Sequence, residues 1–305
     1  MKIEFSSIRP WLRLVRLPNL FTVPGDPLAG LFLASALTYQ RPHFLQLLLT
    51  PLAALAFYMF GMILNDVLDV DEDTATRPSR PLPRRQIPLA AAQTAAVLLA
   101  LAGLMLCLVL GRGTFITALV LVGLIVSYNA FLKHDAAHGP ATMGMCRGVS
   151  LLLGAAQFGW PVTTILIAIM LAGFVASITY IADFENRLHH YGATALLPTA
   201  FMLGAWVIAS ARLLVQASIW GILAGTLVFA AGVIISVGTA RELTITAALP
   251  STSRAAVGAL IRSLLIIQAG LLLICPGAGS GAAGLTLLIV GWPANVILQR
   301  RFYSS

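Results

Sequence analysis

Five acidic and four basic residues crowd into the twenty-one positions from Asn65 to Arg85, NDVLDVDEDTATRPSRPLPRR, in a chain whose charged fraction is only 10%. On a continuing helix Asp66, Asp69 and Asp73 fall at i, i+3 and i+7, which sets three carboxylates on one face and turns Asp71 and Glu72 elsewhere. Carboxylates this close repel one another unless divalent cations neutralise them. A hard ion such as Mg²⁺ takes one or two carboxylates, several waters and the oxygens of a phosphorylated substrate. The arginines that follow, Arg77, Arg80, Arg84 and Arg85, can grip the same phosphates, and Pro78, Pro81 and Pro83 hold their segment out of helix as a stiff loop. Two plainer uses compete. An EF-hand-like calcium loop through Asp69, Asp71 and Asp73 needs a Gly next and a Glu at its twelfth position, where this chain has Thr74 and Arg80. A solvated loop whose arginines fix membrane topology explains the basic half better than the acidic half.

The elements that position this stretch follow from composition. At 305 residues and 59% hydrophobic, with a mean hydropathy of +0.91, the chain reads as an all-α polytopic membrane protein, a single domain over residues 1–305, and soluble classes drop out. The net charge of +8 sits in short loops beside apolar runs, as orientation signals do, so no nucleic-acid partner is implied. Apolar runs of about twenty residues place spans near 18–38, 43–64, 89–110, 114–132, 141–159, 162–182, 195–212, 217–238, 256–275 and 280–298. With both termini cytoplasmic, sixteen Lys and Arg fall on the inside and three, Arg41, Arg112 and Arg212, on the outside, the asymmetry that orients membrane proteins. This predicts an integral, multi-pass protein of a bacterial inner (cell) membrane with the charged loops on the cytoplasmic face. No cleaved signal peptide is expected, because the run after Arg16 is broken by Pro24 and Pro27 and carries no small-residue cleavage site. Cys107, Cys146 and Cys275 are scattered through apolar runs without metal or disulfide spacing, and read as buried thiols.

A second acidic group, Asp183 and Glu185 in YIADFENR, follows the sixth span four helices after the first, so both groups emerge on one face. Together the two loops hold seven of the eleven acidic residues. That recurrence suggests two parallel half-units around a shared pocket. The first span carries Asn19 and, between Pro24 and Pro27, Asp26, which either faces a pocket or satisfies backbone freed by the prolines. Arg147 either snorkels to the interface or faces the cavity as an anion ligand. Lys133 ends the fourth span as an inside positive charge. His134, His138, His189 and His190 read as interfacial histidines without carboxylate partners at metal spacing.

Asn65, Asp66, Asp69 and Asp73 match the NDxxDxxxD signature of the UbiA superfamily of intramembrane prenyltransferases, placed after the second helix as in that family. Arg77 to Pro83 resembles its Arg-Pro segment, Tyr128, Asn129 and Lys133 its tyrosine-to-lysine stretch, and Arg147 to Gly154 the start of its fifth helix. Gly192 and Thr194 fall where the family often has Gly and Thr. The resemblance is strongest from residue 60 to 195. It departs at Arg187, where the second motif usually ends in Asp, so that Asn186 or a water would have to substitute, and at a tenth span beyond the family's nine core helices. The RLPNLFTVPGDPLAG opening and the Arg-Arg-Phe close resemble the EboC-type branch.

The resemblance implies Mg²⁺-dependent transfer of an isoprenoid chain from a prenyl diphosphate to a lipophilic, usually aromatic acceptor, with membrane lipid around the site. It assigns Asn65, Asp66, Asp69 and Asp73 to one metal cluster and Asp183 with Glu185 to the other, with Asp66, Asp69 and Asp183 as the catalytic set. Arg77, Arg80 and Lys133 would bind the diphosphate, Arg147 would reach the same pocket, and Asn19 and Asp26 are candidates for acceptor contact. Two other readings stand beside it: a noncatalytic protein that binds or moves a prenyl or lipid ligand, favoured by Arg187, and phosphoribosyl transfer to polyprenyl phosphate.

Overall fold

The fold is described from a computed structural model covering residues 8–185, 188–244 and 248–303. Apolar runs punctuated by Pro and Gly form helices throughout, and among the described residues the sole extended pairing is a bridge between His189 and Ala248. A short helix, α1 (Ile8–Leu14), leads through Arg16 into a 3-10 turn, Leu17–Thr22, and then α2 (Gly25–Leu37). The break between turn and helix falls at Val23 and Pro24, where the prolines put it. There follow α3 (Phe44–Leu68), α4 (Val70–Thr76), α5 (Leu89–Leu110), α6 (Arg112–Ser127) with a π-helical turn Tyr128–Leu132, and α7 (His138–Ala155). The second half comprises α8 (Val162–Asp183), α9 (Leu197–Leu213), α10 (Ile219–Thr244), α11 (Pro250–Ile274), α12 (Ala278–Thr286) and α13 (Trp292–Tyr303).

Among the described residues nine helical segments are long and apolar enough to cross a membrane, and the protein is a multi-pass integral membrane protein. The expected last span is one of them, running from Ala278 to Leu298 through a π-helical turn at Leu287–Gly291. The expected span at 141–159 is the exception. It corresponds to α7, whose His138, Pro140, Arg147 and four glycines dilute its hydropathy. α7 nevertheless lies deep in the bundle, packed against α8, α2 and α6.

Small residues make that packing possible. A Cβ at Gly154 would collide with the Pro27 carbonyl, one at Gly30 with the Leu151 carbonyl, and one at Gly148 would sit 2.7 Å from the Ala168 carbonyl oxygen. The backbones of α2, α7 and α8 therefore approach as only small residues allow. The buried apolar residues divide into two clusters, one built on α3, α5 and α6 and the other on α2 and α8 to α11. Residues from the charged loops of both halves line a common cavity.

Candidate active site

Helix α3 ends at Leu68, and Asp69 (φ −93°, ψ 6°) separates it from α4. Bonds from the Asp69 N–H to the Asn65 carbonyl (3.0 Å) and from the Asp73 N–H to the Asp69 carbonyl (2.8 Å) carry the helical register across the break. Asp66 and Asp73 consequently meet, both buried, at one guanidinium: Arg80 Nη1 lies 2.5 Å from Asp73 Oδ2 and 3.4 Å from Asp66 Oδ1. The Asn65 amide donates to Asp66 Oδ1 at 3.3 Å.

Asp69 takes a different direction and pairs with Lys133. The break at Asp69 thus corrects the single three-carboxylate face expected from a continuous helix. Glu72 does not point elsewhere either. Ligand atoms of Asp69, Glu72 and His134 all lie within 4.8 Å of one another, so His134 has carboxylate neighbours that its sequence position does not reveal. His138 also has one, with Nδ1 2.9 Å from Asp135 Oδ1. Asp135 accepts the N–H groups of Ala137 and His138 at the start of α7, and these bonds hold its carboxyl down at about 2.

Lys133 reaches Asp69 from the end of the π-helical turn, where its N–H bonds to the Tyr128 carbonyl five residues back at 3.0 Å. Such single wide turns recur at functional sites. Tyr128 lies among the charges of Arg16, Asp183 and Asp69. The Arg-Pro loop is anchored by buried Leu82 and Ile87, which leaves its arginines to face outward from that anchor.

A cavity of about 1110 Å³ opens beside the acidic helix. Asp66 and Glu185 line it together with Arg13, Arg16, Arg77, Arg80, Arg84 and Arg254, so the loops that follow the second and sixth spans do share one chamber. Glu185 is half-buried, and burial pushes its carboxyl above the ordinary value against the opposing pull of Arg254 and Arg77. The Tyr191 hydroxyl bonds to the Ile181 carbonyl (3.1 Å) and to Ser253 Oγ (3.0 Å), tying the end of α8 to the start of α11 beside Glu185. Asp183 is exposed at the end of α8. Asn186 and Arg187, on which the departure in the second motif turns, lie outside the described residues.

Of the first-span candidates, Asn19 lines the large cavity. Asp26 does not. It is fully buried, with Oδ2 2.9 Å from Arg147 Nε and Oδ1 accepting from Gln268 Nε2 at 2.5 Å. Arg147 Nη2 and Gln268 Nε2 both donate to the Thr22 carbonyl, at 2.9 and 2.8 Å. This network cross-links α2, α7 and α11, satisfies the Thr22 carbonyl at the end of the 3-10 turn, and occupies both Asp26 and Arg147 within the protein. Arg147 also borders a narrow apolar cavity of about 120 Å³, lined by Val23, Phe57, Met62, Leu121, Ile125 and Tyr128 among others.

The profile of the UbiA prenyltransferase family matches residues 28–234, more than half of the chain. The protein belongs to the UbiA prenyltransferase family. Two relatives are digeranylgeranylglyceryl phosphate synthases. That of Sulfurisphaera tokodaii is 25% identical over 183 residues, 59% of this chain and 65% of the relative. That of Sulfolobus acidocaldarius is 28% identical over 153 residues, 50% of this chain and 54% of the relative. The matches thus span less than two thirds of these relatives. Among solved structures, a UbiA homologue from Archaeoglobus fulgidus superimposes with a TM-score of 0.64 at 14% identity, covering 91% of this chain and 99% of that one. The homologue bound to GPP and Mg²⁺ gives 0.56 at 15% identity with the same coverage. These likenesses establish the UbiA fold.

Within the family frame, sequence reading misses Arg13, Arg16 and Arg254 as site residues and counts them only as topology signals. Arg13 and Arg16 carried a usable cue, since they stand three apart immediately before a span that opens with Asn19. Nothing local distinguishes Arg254.

Proposed function

We propose that the protein transfers a prenyl group from a prenyl diphosphate to a lipid acceptor within the membrane. The observation that carries this reading is the meeting of Asp66, Asp73 and Arg80 at a cavity shared with Glu185, beside a separate narrow apolar cavity. The donor set suits Mg²⁺: Asn65, Asp66, Asp69, Asp73, Asp183 and Glu185 offer only hard oxygen ligands, and buried Asp66 and Asp73 share one guanidinium in place of a cation each. When bound there, Mg²⁺ supplies charge neutralisation for a departing diphosphate.

The chain's own residues supply the rest. Arg80 and Lys133 exchange their carboxylate partners for diphosphate oxygens as the ligand enters, joined by Arg77. The apolar cavity between α3, α6 and α7 receives the isoprenoid chain and keeps water from the reacting carbon. The allylic carbon–oxygen bond breaks with its electron pair leaving on the diphosphate; an acceptor oxygen forms the new bond to that carbon and its proton passes to solvent or to the released diphosphate. The relatives' name supports a glycerophosphate-type acceptor, since digeranylgeranylglyceryl phosphate less one prenyl group is geranylgeranylglyceryl phosphate. That acceptor takes the place of the aromatic one implied by the resemblance. The relatives come from archaea, so the membrane is proposed only as a cell membrane with the charged loops facing the cytoplasm.

Asp66→Ala or Asp69→Ala is expected to abolish Mg²⁺-dependent binding of geranylgeranyl diphosphate while the protein still inserts, because neither residue contributes to span hydrophobicity. Unchanged binding in both variants contradicts the metal assignment. The ion pairs that already occupy the carboxylates also suit a ligand-binding protein without catalysis, and diphosphate release separates the two.

A further inference from the structure

The large cavity contains more positive charge than one diphosphate requires. Six arginines line it against two carboxylates. Of these, Arg80 is committed to Asp66 and Asp73, whereas Arg13, Arg16, Arg77 and Arg84 make no ion pair among the described residues. Arg254 lines the cavity as well, and its Nε donates to the Pro250 carbonyl one turn back at 3.2 Å. Guanidiniums gathered in one chamber repel one another unless an anion joins them, and their planar forks suit phosphate oxygens. Metal ions at the acidic helix would increase the positive excess.

The arrangement has direction. Arg77 and Arg80 belong to the loop beside the acidic helix. Arg13 and Arg254 come from α1 and α11, which together with the first residue of the 3-10 turn contribute the apolar part of the lining: Leu12, Leu17, Val257 and Ile261. Gly258 also lines the cavity, and the space beside it is open: a Cβ there would meet only the end of Arg262, in ordinary contact at 3.5 Å. Arg16 connects the two sides. Its backbone is left-handed (φ 49°), a conformation costly for a residue with a side chain and found preferentially where geometry serves a site. It lines the cavity together with Asp66.

We infer that Arg13 and Arg254 form a second anion subsite, distinct from the diphosphate clamp, which holds the phosphate of an amphiphilic lipid whose hydrocarbon lies on the α1–α11 apolar strip. The inference rests on the prenyl-transfer reading for the identity of that lipid as the acceptor. Donor and acceptor chains then occupy different apolar surfaces, the donor between α3, α6 and α7 and the acceptor between α1 and α11. Their polar ends meet at Arg16 and Asp66.

The test is equilibrium binding to the full chain in lipid nanodiscs, without donor, using geranylgeranylglyceryl phosphate, geranylgeranylglycerol and inorganic phosphate. Arg13→Gln and Arg254→Gln are each expected to weaken binding of the phosphorylated lipid by about 10-fold to 100-fold, the loss of a charge-assisted bond, and to leave that of the alcohol unchanged. Equal losses for lipid and alcohol, or no loss for either, overturn the subsite. Inorganic phosphate binding as tightly as the phosphorylated lipid overturns the apolar strip. Mg²⁺-dependent geranylgeranyl diphosphate binding, measured on the wild type, reports the donor reading separately: arginine-dependent lipid binding without donor binding keeps the subsite and refutes prenyl transfer.

Discussion

Arg80 decides the charge balance of the site. It holds two buried carboxylates together, and removing it leaves like charges facing each other in a poorly hydrated place. Breaking a buried pair typically costs about 3–5 kcal/mol; Arg80 retains 22% side-chain exposure, so the lower end applies. Arg80→Ala is therefore expected to lower Tm in EDTA and to recover more of it on Mg²⁺ addition than the wild type does, which thermal unfolding in the two buffers checks. At this scale the sequence was informative where spacing fixes the neighbours. The i to i+7 relation of Asp66 and Asp73 survives a break in the helix because backbone bonds carry the register through it. Glu72 and His134 were illegible, since their approach depends on the conformation of Asp69 and on a π-helical turn sixty residues away in the chain.

Helix pairing explains how these residues are held. The α2–α7–α11 junction joins Asp26, Arg147 and Gln268, and its role as a cross-link rather than a ligand-binding group can be separated by a mutant cycle. Arg147→Ala should cost about 3–5 kcal/mol by stranding the Asp26 carboxylate, and Asp26→Asn with Arg147→Met should recover most of that stability. If both single variants instead retain wild-type stability but lose ligand binding, the junction serves the substrate. Gly30 makes the complementary point. Its missing side chain lets α2 touch the Leu151 backbone, which cannot move aside as a flexible side chain would, so Gly30→Ala should lower stability by about 1–3 kcal/mol and reduce folded yield. Helix positions were readable because spans need about twenty apolar residues. Which helices face protein was not. α5 and α11 have nearly equal hydropathy, 2.3 and 2.2, yet 17% and 72% of their windows are buried, because lipid tails are as apolar as a core and leave no hydrophobic contrast between the two faces.

Over the whole molecule, the two halves contribute unequal parts to one chamber: the acidic helix and Arg-Pro loop from the first, and Glu185 with Arg254 from the second. That convergence predicts a topology. Cysteines introduced at Ser79 and His190, in a background lacking the three native thiols, should label from the same side of the membrane with an impermeant maleimide; labelling from opposite sides would contradict a shared chamber. The α1 arginines show why sequence reading stopped short here. A positive charge before a first span serves orientation in any membrane protein, and only the fold reveals that Arg13 and Arg16 also line the chamber.

The most direct measurement is diphosphate release by purified protein in lipid given geranylgeranyl diphosphate and geranylgeranylglyceryl phosphate, with Mg²⁺ and with EDTA. Release that requires both substrates and Mg²⁺, and is lost in Asp66→Ala, is the predicted result. Donor binding without release under all of these conditions would contradict catalysis by this chain.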